Sequence, residues 1–122
     1  MLFKKIPEAE LEVMKVIWEN ESSISSKEII GILEEKKGWK RTTILTLLSR
    51  LSKRDFITVE KGKRITYYQE KVSEKSYLGM ETVSFFKNVH GNSLKSFITT
   101  LHDTNNISND ELDELENWIK NR

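Results

Sequence analysis

The sequence predicts a mainly α fold with a small β-hairpin, and three observations predict it. Apolar residues recur at helical spacing from Leu11 to Leu51. They alternate with polar ones on either side of Gly62, and they return to helical spacing after Ser73. Three helices and a hairpin form the order of a winged helix-turn-helix, and the later helices read as a dimerisation region. The expected domains are 1–72 and 73–122.

Ile6-Pro7-Glu8 opens the first helix. Proline suits a first-turn position where its missing N–H costs nothing, and Glu8, Glu10 and Glu12 suit the positive end of the helix dipole. Leu11, Met14 and Trp18 form the expected buried stripe, widened by Val13 and Ile17, and the helix should end near Asn20. Ser25-Ser26-Lys27-Glu28 has the spacing of a capping box, with Ile24 and Ile29 placed as a hydrophobic staple. The second helix should stop at Gly38.

The third helix lies within Lys40–Arg54. Ile44, Leu47, Leu48 and Leu51 share one face, whereas Thr42, Thr46, Ser49 and Lys53 point the opposite way, with Thr43 and Arg50 on a flank. Leucine already supplies the burial, and threonine is a mediocre helix former, so stability explains these threonines poorly. Short hydroxyls beside arginine suit phosphate oxygens and base edges in a DNA major groove. An ordinary amphipathic surface helix is the plain alternative. Beyond Arg54, the residues from Phe56 to Glu60 and from Ile65 to Gln69 read as two strands, with Gly62 supplying a positive φ at the turn. Lys61, Lys63 and Arg64 would then tip a wing that brushes phosphates.

After Ser73, Tyr77, Leu78, Val83, Phe85, Phe86 and Val89 mark a helix ending near His90-Gly91-Asn92. Leu94, Phe97, Ile98 and Leu101 mark a second. Ser108 to Glu111 repeats the capping-box spacing ahead of Leu112, Leu115, Trp118 and Ile119. Such short aromatic-striped helices bury themselves poorly alone, so two copies are expected to interlock.

Charge sharpens the division. Residues 1 to 72 carry a net charge of +4 and residues 73 to 122 carry −3. From Lys36 to Lys71, eleven cations face three acids, a local +8 that forms an electrostatic footprint for a polyanion. The absence of cysteine removes disulfides and thiolate metal sites, and the short apolar runs predict a cytoplasmic chain without a membrane span. Nothing arranges a nucleophile, base and orienter, so no enzyme is expected. His90 and His102 lack a ligand partner at metal spacing, so neither metal nor cofactor is expected. A winged helix that binds protein rather than DNA is the rival, and the +8 segment argues against it.

Particular stretches resemble the BlaI/MecI/CopY family of repressors of bacterial antibiotic-resistance and copper-homeostasis operons. They are AELEVMKVIW (Ala9 to Trp18), ISSKEII (Ile24 to Ile30), GWKRTTILTLLSRL (Gly38 to Leu51), the EKGKR wing with Tyr68, VSEKSYL (Val72 to Leu78), GNSLKSFI (Gly91 to Ile98) and ISNDELDELENWI (Ile107 to Ile119). The resemblance spans nearly the whole chain. It implies a homodimeric repressor on palindromic, double-stranded operator DNA. Trp39, Thr43, Thr46 and Arg50 match the family's recognition region, with Lys40, Arg41 and Thr42 in the same block, and Arg64 and Tyr68 match its wing. Copper-responsive members carry a C-terminal pair of Cys-x-Cys motifs, and this chain ends ELENWIKNR, so Cu(I) sensing in that manner lacks its ligands. Penicillinase-type members are inactivated by proteolysis at an Asn-Phe bond. Thr100-Leu101 occupies that place here, which makes it the candidate cleavage bond and implies a sensor protease as partner. Leu45 stands where relatives often carry lysine, on the flank away from the core.

Overall fold

The computed structural model describes residues 4–122; Met1 to Phe3, which open the first expected domain, lie outside the described residues. The element order is α1 (Glu8–Trp18), β1 (Ile24–Ser25), α2 (Ser26–Lys37), α3 (Arg41–Lys53), β2 (Ile57–Lys61), β3 (Thr66–Glu70), α4 (Glu74–His90), α5 (Leu94–Asp103) and α6 (Asn109–Lys120). By compactness the chain divides into a unit ending at Met80 and a unit over Glu81–Arg122.

In the first unit α1, α2 and α3 pack together, and an antiparallel sheet ordered β1-β3-β2 closes one side. Each helix boundary has a chemical cause. Ser25 Oγ accepts from the Glu28 N–H at 3.2 Å and donates to Glu28 Oε1, which holds the start of α2, and the stapling residues Ile24 and Ile29 are both buried. Gly38 ends α2 in the left-handed region at φ 66°, with its N–H on the Glu34 carbonyl at 3.0 Å. Asp55 ends α3 in the same region at φ 63°. There Phe56 N–H reaches back to Leu51 O and Asp55 N–H to Ser52 O, a Schellman closure.

Ile44, Leu47, Leu48 and Leu51 form the buried ridge of α3, as expected. The stripe of α1 is rotated from expectation. Val13, Met14, Val16 and Ile17 are buried with Glu10, while Leu11 and Trp18 pack at the margin. Glu10 is only 2% exposed, and its carboxylate pairs with the Arg54 guanidinium at the end of α3. A buried carboxylate is tolerated only with such a partner. This acid therefore ties α1 to α3 besides facing the helix dipole.

Three further details depart from the sequence reading. Ile24 and Ser25 serve both as helix cap and as a third strand, pairing with Tyr68 and Tyr67 of β3. Gly62 is not among the positive-φ residues. Its N–H bonds Ile65 O at 2.8 Å, and a Cβ there would stand 2.8 Å from that same oxygen, so glycine is required by close approach within the turn. Tyr77, expected on the dimerisation surface, is buried in the first unit. Its hydroxyl accepts the Ile6 N–H at 2.7 Å, its ring lies 5.9 Å from Trp18 and meets Phe56 edge-on at 6.2 Å, and Trp18 Nε1 donates to Val72 O at 2.9 Å.

The second unit contains the remainder of α4, then α5 and α6. The Ser108 and Glu111 capping box is complete, with bonds of 3.1 and 3.0 Å. Asn105, at φ 61°, closes α5 by sending its N–H to His102 O, while Asn106 N–H bonds Leu101 O. Phe85, His90 and Phe97 meet edge-to-face. No residue from Glu81 onward is buried. Among the described residues no helix is long and apolar enough to cross a membrane.

Candidate nucleic-acid interface

α3 places its hydroxyls on the face opposite its leucine ridge. Thr42, Thr43 and Thr46 are exposed and, with Leu47 and Arg50, line an open concavity of ≈ 260 Å³. Thr46 Oγ1 donates to the Thr42 carbonyl at 2.9 Å. With its proton held by the backbone, this hydroxyl turns lone pairs outward and can accept from an incoming donor. At the start of the helix Lys40 is the N-cap, without a side-chain capping bond, and the first turn contains no acid. Trp39 is half-buried against the core and braces this start, and Leu45 is likewise packed against the core rather than turned away from it.

Pairing of the cations sorts them. Of the eleven between Lys36 and Lys71, Lys37 pairs with Glu12, Arg54 with Glu10 and Lys71 with Asp55. Lys36, Lys40, Arg41, Arg50, Lys53, Lys61, Lys63 and Arg64 are exposed and form no ion pair among the described residues. Seven of these eight, all but Lys36, belong to α3, its N-cap or the wing. Charges left to solvent on one helix and one hairpin tip raise the local potential for an anion, whereas paired charges largely cancel. Arg54, one of the eleven cations of the basic segment, is committed to Glu10 and leaves this set.

Tyr68 also leaves it. This residue of β3 pairs with Val59 and Ile24 and is 9% exposed, and burial raises its phenol above the usual tyrosine range. Its neighbour Tyr67 is exposed instead, because alternate strand residues face opposite sides.

A second concavity was not anticipated. Lys27, Gly31 and Glu34 of α2, Arg41 of α3, and Arg64 and Ile65 of the wing line a groove of ≈ 490 Å³. The signals that could have found it are a lysine in the first turn of α2 and a glycine inside the helix, both disfavoured there on helix energetics alone.

Of the residues expected at the dimerisation surface, Leu78 belongs to the first unit and is 64% exposed, while Phe85, Leu94, Trp118 and Ile119 of the second unit are also exposed. Phe86, Phe97, Ile98, Leu101, Leu112 and Leu115 are half-buried. Thr100 is exposed within α5, and its hydroxyl donates to Ser96 O at 2.8 Å. His90 Nδ1 lies 3.0 Å from Ser96 Oγ, and His102 Nε2 lies 3.1 Å from Asn109 Oδ1. Among the described residues no group of three or more His, Cys, Asp or Glu is arranged to hold a metal ion.

Comparison with known proteins agrees with this geometry. The chain is 36% identical over 115 residues to the penicillinase repressor of Bacillus licheniformis, covering 92% of this chain and 89% of that one. It is 30% identical over 118 residues to the methicillin resistance regulatory protein MecI of Staphylococcus aureus, covering 97% and 95%. Among solved structures it matches the DNA-binding domain of the repressor BlaI, with a TM-score of 0.56 and 40% identity, over 62% of this chain and 94% of that one. It also matches the monomeric form of Bacillus licheniformis BlaI in complex with the blaP half-operator, with a TM-score of 0.53 and 39% identity, over 62% and 90%. The penicillinase repressor family model matches residues 6–121, and with a winged helix of matching geometry this chain belongs to the penicillinase repressor family, the BlaI/MecI/CopY repressors.

Proposed function

We propose that this chain is a transcriptional repressor that binds double-stranded operator DNA as a homodimer. The observation that carries the proposal is the exposed face of α3, where Thr42, Thr43, Thr46 and Arg50 stand among unpaired cations and are backed by a rigid leucine ridge. The relative solved with a half-operator supports the choice of DNA as the polyanion. Arg50 is the base reader, because a guanidinium paired bidentately with guanine contributes on the order of 1–3 kcal/mol of discrimination. Thr46, whose proton is held by Thr42 O, accepts from the amino group of adenine or cytosine. Thr42, Thr43 and Lys40 hold the helix in register, while Arg41, Lys53, Lys61, Lys63 and Arg64 neutralise phosphates and add affinity without sequence preference.

The second unit joins two copies. Its helices leave Phe85, Leu94, Trp118 and Ile119 in solvent, and an isologous contact would cover them. Two recognition helices joined in this way need half-sites roughly 34 Å apart, or a multiple, and hence a palindromic operator. Relief then acts on the joint. A sensor protease cutting Thr100-Leu101 within α5 would separate the copies and lose the gain in effective concentration that pairing provides.

The test is titration of the protein against the inverted repeat upstream of its own gene and against a scrambled duplex, across a salt series. The proposal expects preference for the repeat, weakening steeply with salt. Equal binding to both duplexes at every salt concentration contradicts it.

A further inference from the structure

The leucine ridge of α3 does not by itself aim the helix. Burial of Ile44, Leu47, Leu48 and Leu51 depends on area removed from water and is non-directional, so it decides which face turns inward without fixing the last fraction of an ångström. Base reading needs that fraction, because a binding constellation works only when held within about 0.5 Å of its productive geometry. A carboxylate paired with a planar guanidinium is directional and can supply it.

Glu10 is the only charged residue buried among the described residues, at 2% exposure, and Arg54 is its partner. Stability does not call for this pair. Apolar residues of similar volume commonly replace a buried ion pair without loss, since desolvation of the two charges offsets their attraction. The place of the pair in the fold gives it a use. Arg54 is the C-cap of α3, one turn beyond Arg50, and its N–H bonds the Arg50 carbonyl at 3.1 Å. Asp55 follows in the left-handed region, and Phe56 then leads into β2 while its carbonyl accepts the Lys71 N–H at 2.9 Å, just past β3. The guanidinium therefore holds to α1 the joint at which α3 passes into the wing.

We propose that Glu10 is a positioning residue for base reading: by orienting Arg54 it fixes α3 against the wing, so that Arg50 meets a base edge while the wing cations lie along the backbone of the same duplex. Neither Glu10 nor Arg54 touches DNA in this assignment. The inference rests on the DNA-binding reading and adds to it a buried residue of α1.

The experiment measures affinity of the full chain for operator and scrambled duplexes over a salt series, for Glu10→Leu, for the double variant Glu10→Leu, Arg54→Met and for Arg50→Ala. Folding is followed by urea unfolding and pairing by sedimentation in the same samples. The double variant puts apolar side chains in place of both charges and should keep a native urea midpoint or exceed it. Its preference for operator over scrambled duplex should nonetheless fall roughly tenfold, part of the discrimination that a bidentate arginine supplies. Its salt slope on the scrambled duplex should stay native, because no phosphate contact is lost. Glu10→Leu alone, with Arg54 released to solvent, should lose preference to the same extent, and the double variant carries the test if the single one does not fold. A folded double variant with native operator preference overturns the assignment, because the pair then serves stability alone. A salt slope lower by about 0.9 with preference intact overturns it too, because Arg54 is then itself a phosphate contact. Arg50→Ala keeps the two levels apart. If it abolishes discrimination while the pair variants have no effect, only the positioning role is wrong; if it too has no effect, the DNA-binding reading fails with it.

Discussion

The two units of this chain use apolar residues in opposite ways. The first encloses Met14, Ile17, Ile29, Leu33, Ile44, Leu48 and Leu51 almost completely, whereas from Glu81 onward no side chain is buried and Val83, Val89, Leu94, Trp118 and Ile119 are all more than half exposed. The helices of the second unit are well capped nonetheless, with Ser93, Ser108 and Asn105 satisfying their ends. Capping sets where a helix begins and stops, but it does not supply a core. The difference teaches that the first unit buries a core of its own and displays α3, while the second leaves its apolar residues uncovered, which is the contrast the proposed pairing of two copies rests on.

The largest effect expected from this contrast comes from matched core substitutions. Leu48→Ala in the first unit should cost roughly 3 kcal/mol of unfolding free energy in urea, from lost burial and the cavity left behind. Leu115→Ala in α6, which is already half-exposed, should barely move unfolding of the first unit and should instead weaken self-association measured by sedimentation. Equal losses from both substitutions would erase the contrast.

Next is the ion pair that fixes the end of α3. Arg54→Ala strands the Glu10 carboxylate inside the fold and should cost about 3 kcal/mol, whereas Lys71→Ala removes an exposed pair with Asp55 and should cost less than about 1 kcal/mol. Urea midpoints for the two proteins check this directly. A smaller effect is expected at Tyr77. Tyr77→Phe removes the hydroxyl that accepts the Ile6 N–H and should cost about 1 kcal/mol, with no change in self-association if the residue serves the first core alone. A change in sedimentation with stability intact would return Tyr77 to the dimer surface.

These residues also mark where sequence alone stops. The ridge and outer face of α3 were legible because each side chain's direction follows from the 3.6-residue period, and the caps at Ser25, Gly38 and Ser108 were legible because capping is local chemistry. The strand at Ile24–Ser25 was not, since two residues have no period and their pairing with Tyr67 and Tyr68 is made across more than forty positions of chain. Glu10 reads as a helix-dipole acid and Arg54 as one more cation of the basic segment for the same reason: each is explicable locally, and only tertiary packing joins them. Tyr77 sits on a helix that leaves the first unit, so its periodicity matched its neighbours while its partners did not. The groove lining of α2 was hidden because Lys27 and Gly31 signal only by departing from helix preference.

The smallest expected effect is alkaline. Burial raises the Tyr68 phenol above its usual value of 10.0, so the unfolded chain ionises first. Its contribution to stability is complete below pH 10 and is lost as pH rises from there through the folded value. Tyr68→Phe should therefore flatten the fall in urea midpoint above pH 10, and an unchanged slope would show that the ring is not held in the core.

The most direct measurement of the central claim is fluorescence anisotropy of labelled operator and scrambled duplexes with the Thr46→Ala, Arg50→Ala double variant at a fixed salt concentration. Folding and self-association are monitored in the same samples. Both residues face out from α3 and neither is buried, so the protein should remain folded and paired while its preference for the operator collapses toward the level of random DNA. An intact, paired protein that still prefers the operator as strongly as the native chain would contradict the account.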